Sequence, residues 1–341
     1  MTGQSTATDA RVLVVGGGAI GGVVAARLAE GRIRVTVLDA DPGHVARMRD
    51  PGLHVDLLGR ERTVPLEAHS EPAELEGRFD VALVTVKSRA IEAALAPLEA
   101  REIVDLYVSL GNGLVQERCA AVVGWHRLMV GIVEWGASNL RPGHVAQTTE
   151  APIIIGEPDG TLQSRTTELG QTLETVAEVR VTKNIWGHVW TKLLLNATFS
   201  GLGTVMGGSY RDLVWHPDGL AAITAVWTEA HRVAGHLGIT LEPLLGFDAD
   251  SLCSDADPEA STPALETITR RLGRTKPSML QDLERGIATE VGVINGAVAD
   301  RAEAAKTSAP SNQQVVRLIR SMEQRTLIPA PELLRQVAAA R

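Results

Sequence analysis

Near its start the chain reads Arg11-Val-Leu-Val-Val-Gly16-Gly-Gly18-Ala19-Ile20-Gly21-Gly-Val-Val-Ala-Ala. A β-branched run that passes straight into G-x-G-x-x-G and then into small residues constrains the fold more than any other stretch. Gly16 permits the tight turn out of a strand, Gly18 lets backbone approach a pyrophosphate, and Gly21 lets helix pack on strand; the helix N-terminus favours the anion. Gly16, Gly18, Ala19, Ile20 and Gly21 are therefore candidate cofactor-binding residues. The second strand, RVTVLDA, ends at Asp39, about 20 residues further on, where an acidic side chain bonds the adenosine ribose hydroxyls. Its carboxylate would repel a ribose 2′-phosphate and no arginine follows until Arg47, so NAD is favoured, with NADP as the alternative. Asp39 has a second reading, as a cap for the turn-rich Asp-Ala-Asp-Pro-Gly that it opens.

Further along, DVALVTVK, IVDLYVSL and APIIIGE alternate with helical stretches up to about Thr182. That alternation predicts a doubly wound, mostly parallel sheet covered by helices, an α/β domain over residues 11–182. After Asn184 the spacing turns helical in NIWGHVWTKLLLNATF, LAAITAVWTEAHRVAGHLG, SMLQDLERGIATEVGVINGAVADRAEA and QQVVRLIRSMEQR, with no convincing strand. Residues 183–341 are thus expected to form an all-helical domain, and residues 1–10 a disordered tail. The polar stretch 248–276, with Pro258 and Pro263, is expected to be partly an exposed loop.

With 33 basic against 41 acidic residues, a formal charge of −8, the chain lacks the clustered positive charge of a nucleic-acid or anionic-membrane surface. The expected partner is a small molecule. Cys119 and Cys253 have no metal-ligand spacing, so no metal site is expected, and free thiols fit a reducing cytoplasm. The first ten residues lack the apolar core of a signal peptide, and no apolar run is long enough for a membrane span.

Ligands of doubly wound sheets bind beyond the carboxyl ends of the strands. Lys87 and the loop Ser109-Leu-Gly-Asn112-Gly-Leu lie there. Asn112 offers a ligand-binding amide, although Gly-Asn-Gly also reads as a plain turn and Lys87 as a solvated strand end. In the helical half, one of only five lysines sits in Val189-Trp-Thr-Lys192-Leu-Leu-Leu. A buried ammonium is costly unless it is paired or used. If residues 184–199 are one helix, Lys192, Asn196 and Ser200 form a polar stripe at i, i+4 and i+8; an interdomain salt bridge is the other reading of Lys192. Pro277-Ser278-Met-Leu-Gln281 reads as a capping box, with Ser278 as N-cap of a helix running through Glu290. An N-cap also presents a hydroxyl and unpaired N–H groups to a substrate carboxylate.

Taken in order, GGGAIGG, VTVKS, SLGNGL, Trp-x-Lys-x-x-x-Asn, Glu229 in a helix ending in HLGITL, and PSMLQDLERGIATEVGVINGAV resemble the ketopantoate reductase family over nearly all of residues 11–324. The resemblance implies an N-terminal Rossmann domain, a helical C-terminal substrate and dimerisation domain of the 6-phosphogluconate dehydrogenase-like type, and an active site between them. It implies that Lys192 is the general acid in NAD(P)H-dependent reduction of a 2-keto acid to a D-2-hydroxy acid, with ketopantoate to D-pantoate as the default. By the same resemblance Glu290 tunes the site, Ser278 holds the substrate carboxylate, Asn196 orients the substrate, Asn112 lies between cofactor and substrate, and Lys87 approaches the cofactor. A homodimer is a further expectation.

The chain departs from the family pattern where substrate is read. Ser200 replaces an asparagine implicated in holding the ketopantoate hydroxyl, Gly111 a glutamine and Gly292 an aspartate, while Asp39 lacks the arginine of NADP-dependent members. An NAD-dependent dehydrogenase of the D-mandelate type, acting on other branched or aromatic 2-keto acids, is the alternative. A non-catalytic dinucleotide sensor would need none of Lys192, Asn196, Ser278 and Glu290.

Overall fold

The computed structural model describes residues 10–243, 245–253 and 258–340. Apart from Ala10, the expected tail lies outside them. The chain divides into two compact units, one taking it up to Gly111 and again over Val115–Ile185, the other taking Asn112–Leu114 and everything from Trp186.

Among the described residues, all twelve strands belong to the first unit: Arg11–Val15 (β1), Arg34–Leu38 (β2), Leu53–Leu57 (β3), Glu61–Val64 (β4), Glu67–His69 (β5), Phe79–Val84 (β6), Val104–Ser109 (β7), Leu128–Val133 (β8), Ala137–Arg141 (β9), His144–Gln147 (β10), Ile153–Gly156 (β11) and Val179–Val181 (β12). The main sheet runs β12-β11-β8-β7-β6-β1-β2-β5, parallel at every pairing except β8 with β11. Val12 to Val15 are at most 1 % exposed, so this strand is covered on both faces, as continuous apolar strands of parallel sheets are. β1 lies between β2 and β6, and the order reverses there. That reversal puts the end of β1 at the ligand-binding crevice of such sheets.

A second sheet, β4-β3-β10-β9, was not anticipated from the sequence. Its strands are four or five residues long; β4 is mostly exposed, β9 is half-buried to exposed, and both are largely polar, which gives little hydrophobic alternation to read. It shares the core of the helix Ala19–Glu30: Val55 and Val145 are buried in the same cluster as Val23 and Val24. His44 ties this sheet to the glycine loop. The ring is 2 % exposed, its Nδ1 accepts the Gly143 N–H at 2.7 Å, and its Nε2 therefore donates to the Gly17 carbonyl at 2.7 Å.

The second unit is helical, with no strand among its described residues. Its helices are Ile185–Leu195, Gly201–Met206, Tyr210–Trp215, Gly219–His236, Pro258–Leu272, Ser278–Glu284, Asn295–Ala304, Pro310–Glu323 and Leu333–Ala338, with a π-turn at Asn196–Ser200. One expectation is refined and two are corrected. Within 248–276, expected to be partly loop, Pro258–Leu272 is helix, with Ala264 and Ile268 on its buried face, a refinement of the expectation that sets the helix bounds. The helix from Ser278 stops at Glu284 rather than running through Glu290. Gly286, at φ +68°, reverses the chain and Ile287 N–H returns to the Asp282 carbonyl, a Schellman-type stop. The second correction, at residues 196–200, concerns the site. Among the described residues no helix is long and apolar enough to cross a membrane.

His44→Ala would leave the Gly143 N–H and the Gly17 carbonyl without their partner. We expect it to lower the unfolding free energy by about 2–4 kcal/mol, the scale of two buried polar groups left unsatisfied. Urea titration followed by circular dichroism reads this, and a change under about 0.5 kcal/mol would mean that the bridge carries no weight.

Candidate active site

In the first unit, the glycines of the loop differ in what they are for. Gly16, at φ +99°, lies so close to the chain after β6 that a Cβ would stand 2.8 Å from Val86 Cγ1 and 2.9 Å from Val86 N. A Cβ on Gly21 would run into the Gly16 carbonyl. Both absences serve the protein's own packing. Gly18 is different, because a Cβ there would meet nothing within 4 Å. It is the N-cap of the helix Ala19–Glu30, has no side-chain cap, and is followed by the half-exposed Ala19 and Ile20. An open backbone at the start of a helix, where N–H groups lack internal partners, fits the pyrophosphate of a dinucleotide.

Asp39 closes on the same loop. Its Oδ2 accepts the Gly17 N–H at 2.7 Å and its Oδ1 the Asp41 N–H at 2.9 Å. The turn-forming reading is thus part of the answer, but Asp41 rather than Asp39 caps the following helix, accepting from the Gly43 and His44 N–H groups. Each Asp39 oxygen keeps acceptor capacity for a ribose hydroxyl. Lys87 is half-buried in the extended residue before the 3-10 turn Ser88–Ala90, directly after β6.

The remaining candidates fall in the second unit. Between Val189 and Ser200 every residue is buried except Lys192 and Asn196. The helix does not continue regularly, as expected, past Leu195. At Asn196–Ser200 it widens into a π-turn, and the Gly201 N–H reaches five residues back to the Asn196 carbonyl. The wider turn draws Ser200 back relative to Asn196, where a continuous α-helix would carry it further round. A side chain inserted into the ladder is the physical reason: Asn295 Nδ2 donates to the Ala197 carbonyl at 3.0 Å.

Ser200 is 1 % exposed and its Oγ lies 3.4 Å from Ser278 Oγ. Ser278 is not the N-cap. Pro277 takes that place without a side-chain bond, Ser278 is the first helical residue, and Gln281 Nε2 donates to the Lys276 carbonyl instead of closing a capping box. Its hydroxyl is therefore not occupied in capping. On the other side of Ser200 stands Tyr210, whose hydroxyl burial pushes up in pKa while a hydrogen bond with Ser200 works the other way.

Glu290 is 6 % exposed in the segment between two helices, and its carbonyl accepts the Val293 and Ile294 N–H groups. Beside it Thr289 gives its N–H and its hydroxyl to Glu323 Oε1, both at 2.7 Å. Burial raises the Glu323 pKa, but these two bonds and one from Arg320 outweigh it and leave it below the usual carboxylate value. Asn112 belongs to this unit because its loop docks on the same segment: Leu114 N–H bonds the Val293 carbonyl at 2.9 Å. Gly113, at φ +76°, must be glycine, since a Cβ would run into that carbonyl. The Gly-Asn-Gly turn is thus shaped by a close approach. A Cβ on Gly292 would stand 3.0 Å from Arg320 Nη2, so an aspartate there would face a guanidinium.

Sequence reasoning missed His44, Asn295, Asn312 and Glu323. Each bonds backbone or another polar side chain inside the protein. Such residues carry no spacing signal, although the asparagine of Val-Ile-Asn-Gly interrupts an apolar run and could have been questioned. Among the described residues no cluster of His, Cys, Asp and Glu could hold a metal ion.

The model of the family described as ketopantoate reductase PanE/ApbA matches residues 12–160, and that of its C-terminal part matches residues 184–323. The 2-dehydropantoate 2-reductase of Halobacterium salinarum is 27 % identical over 316 residues, covering 91 % of this chain and 98 % of its own. That of Archaeoglobus fulgidus is 25 % identical over 318 residues, covering 92 % and 98 %. Among solved structures, D-mandelate dehydrogenase with NADH and anilino(oxo)acetate superposes with a TM-score of 0.81 at 21 % identity, over 92 % of this chain and 99 % of that one. The PanE/ApbA family ketopantoate reductase from Ralstonia eutropha JMP134 gives 0.79 at 23 % identity, over 92 % and 99 %. These two structures share the fold, and the family models, which together span both halves of the sequence, establish that the chain belongs to the ketopantoate reductase family.

Proposed function

We propose that this chain is a nicotinamide-dependent reductase that converts a 2-keto acid to a D-2-hydroxy acid, with ketopantoate, giving D-pantoate, as the default substrate. One observation carries the reading. Asn112, Lys192, Asn196, Ser200, Ser278 and Glu290 all fall in one compact unit, and bonds from Leu114 to Val293, from Asn295 to Ala197 and between Ser200 and Ser278 join the segments that hold them. A sensor of bound dinucleotide needs only the first unit's glycine loop.

A bound reduced nicotinamide supplies the hydride that adds to the carbonyl carbon. As the C=O π bond breaks, its electron pair moves to oxygen, and the Lys192 ammonium stabilises that charge and donates the proton. Ser278 holds the substrate carboxylate, Asn112 and Asn196 orient the carbonyl, and Glu290 pairs with the lysine or the substrate. Gly18, Ala19, Ile20, Asp39 and Lys87 would hold the cofactor, on a loop whose close packing Gly16 and Gly21 permit. NAD is the proposed form, because the Asp39 carboxylate at the loop would repel a 2′-phosphate.

A specific observation favours the second reading, a D-mandelate-type dehydrogenase acting on other branched or aromatic 2-keto acids. The buried Ser200 hydroxyl is engaged with Ser278 and Tyr210, and it replaces a longer amide able to reach a substrate hydroxyl.

Three measurements test these proposals. Lys192→Ala is expected to lower kcat by about 10²–10⁴-fold, the range of general acid catalysis, while NADH affinity by fluorescence titration stays within about threefold; retained turnover would remove the lysine from the mechanism. Wild-type kcat/KM should favour NADH over NADPH by at least about tenfold, and Asp39→Ala should erase the difference, given the few kcal/mol that two like charges cost at such range. An NADPH preference in the wild type would reverse the cofactor assignment. Across a panel of 2-keto acids, Ser200→Asn is expected to shift kcat/KM towards ketopantoate relative to phenylglyoxylate by about tenfold, the scale of one satisfied polar contact. A panel with no substrate at all would favour the sensor.

A further inference from the structure

The interruption after Leu195 is held open by a buried polar chain that starts far away in sequence. Glu229, in the helix Gly219–His236 and 7 % exposed, accepts three N–H bonds at the N-terminus of the helix Pro310–Glu323. Its Oε1 takes the Ser311 N–H at 2.8 Å, and its Oε2 takes the Asn312 N–H at 2.9 Å and Asn312 Nδ2 at 3.0 Å. The other Nδ2 hydrogen of Asn312 goes to the Val226 carbonyl at 3.1 Å. Asn312 is therefore turned with its oxygen towards Asn295, which must answer with its own Nδ2 at 3.0 Å. The same Nδ2 gives its second hydrogen to the Ala197 carbonyl, which a continuous α-helix would pair with the Gly201 N–H. Both asparagines are fully buried, so every orientation in the chain follows from a group that offers acceptors at one end and a carbonyl at the other.

Two further features fit this geometry. A Cβ on Gly201 would stand 2.9 Å from Asn295 Oδ1, so the absence of a side chain lets the amide approach the turn. Asn295 also begins its helix directly after the turn in which Val293 and Ile294 N–H bond the Glu290 carbonyl. One amide thus joins the π-turn bearing Asn196, which continues the helix of Lys192, to the turn bearing Glu290.

We propose that Glu229, Asn312 and Asn295 are positioning residues, a relay that maintains the π-turn at Ala197 and so fixes Asn196 and Ser200 relative to Glu290. The inference rests on the function proposed above. None of the three touches substrate, and their effect on turnover arises because a misplacement of about 1 Å in a reacting constellation costs about a hundredfold.

The chain is tested in two variants. Asn295→Asp keeps the shape but cannot donate to both acceptors, since even a protonated carboxyl has a single O–H. Gly201→Ala keeps every hydrogen-bonding group and crowds the amide, so it serves if the first variant does not fold. Hydrogen–deuterium exchange over residues 198–203 is expected to accelerate at least about tenfold in each, with the sheet of the first unit unchanged. Turnover of the best 2-keto acid should fall about 10- to 100-fold in kcat, with KM within about threefold. Unaltered exchange in a folded variant overturns the relay, and accelerated exchange with wild-type kcat overturns its positioning role. If the wild type reduces no 2-keto acid, the function fails on that ground alone, and exchange still decides whether the relay holds the turn.

Discussion

The obligation of a buried backbone group to find a partner governs this protein more than any single apolar contact. A carbonyl or N–H taken from water and left unpaired costs about as much as a lost hydrogen bond, so each irregular stretch of chain needs a named partner. At the glycine loop, Asp39 takes the Gly17 N–H and His44 takes the Gly17 carbonyl. At the interrupted helix, Asn295 takes the Ala197 carbonyl. At the segment before that asparagine, Glu323 takes the Thr289 N–H and Leu114 supplies an N–H to Val293. The backbone inside a regular helix or strand pairs with itself and needs no such partner.

The architecture was legible because two periodicities dominate it. Buried parallel strands write themselves as unbroken β-branched runs, and β1, β2, β6, β7 and β11 fall where RVLVV, RVTVL, DVALV, VDLYVS and IIIG stand. The small sheet was invisible for the converse reason: its edge strands, ERTV and ASNLR, are short and largely polar, and pairing rather than composition makes them strands. Helix ends were harder to place than helices. Nothing in the spacing of SMLQDLERGIATEVG marks where one helix stops, although Arg-Gly at 285–286 is the kind of step that permits a left-handed residue.

Of the site, the residue types were legible and their local settings were not. The glycine motif and the lysine within an apolar helix announce themselves because each violates the composition around it. The expected i, i+4, i+8 stripe failed at Ser200 because an asparagine almost a hundred positions away widens the turn. Long-range polar contacts of this kind have no period. A sequence read by itself assigns Ser278 to a cap because the capping pattern is local, whereas its hydroxyl lies beside that of Ser200, 78 positions earlier.

The membership of Asn112–Leu114 in the helical unit bears on how the chain can be divided. A fragment beginning at Trp186 would contain every helix of that unit, yet its Val293 carbonyl would lack the Leu114 N–H that meets it. The three residues come from a strand-to-helix loop of the other unit, so the helical half is continuous in space but not along the chain. Exchanging that half between relatives would have to carry a tripeptide from the first half with it. Recombination at the apparent boundary near residue 183 would separate a glycine from the carbonyl that requires it.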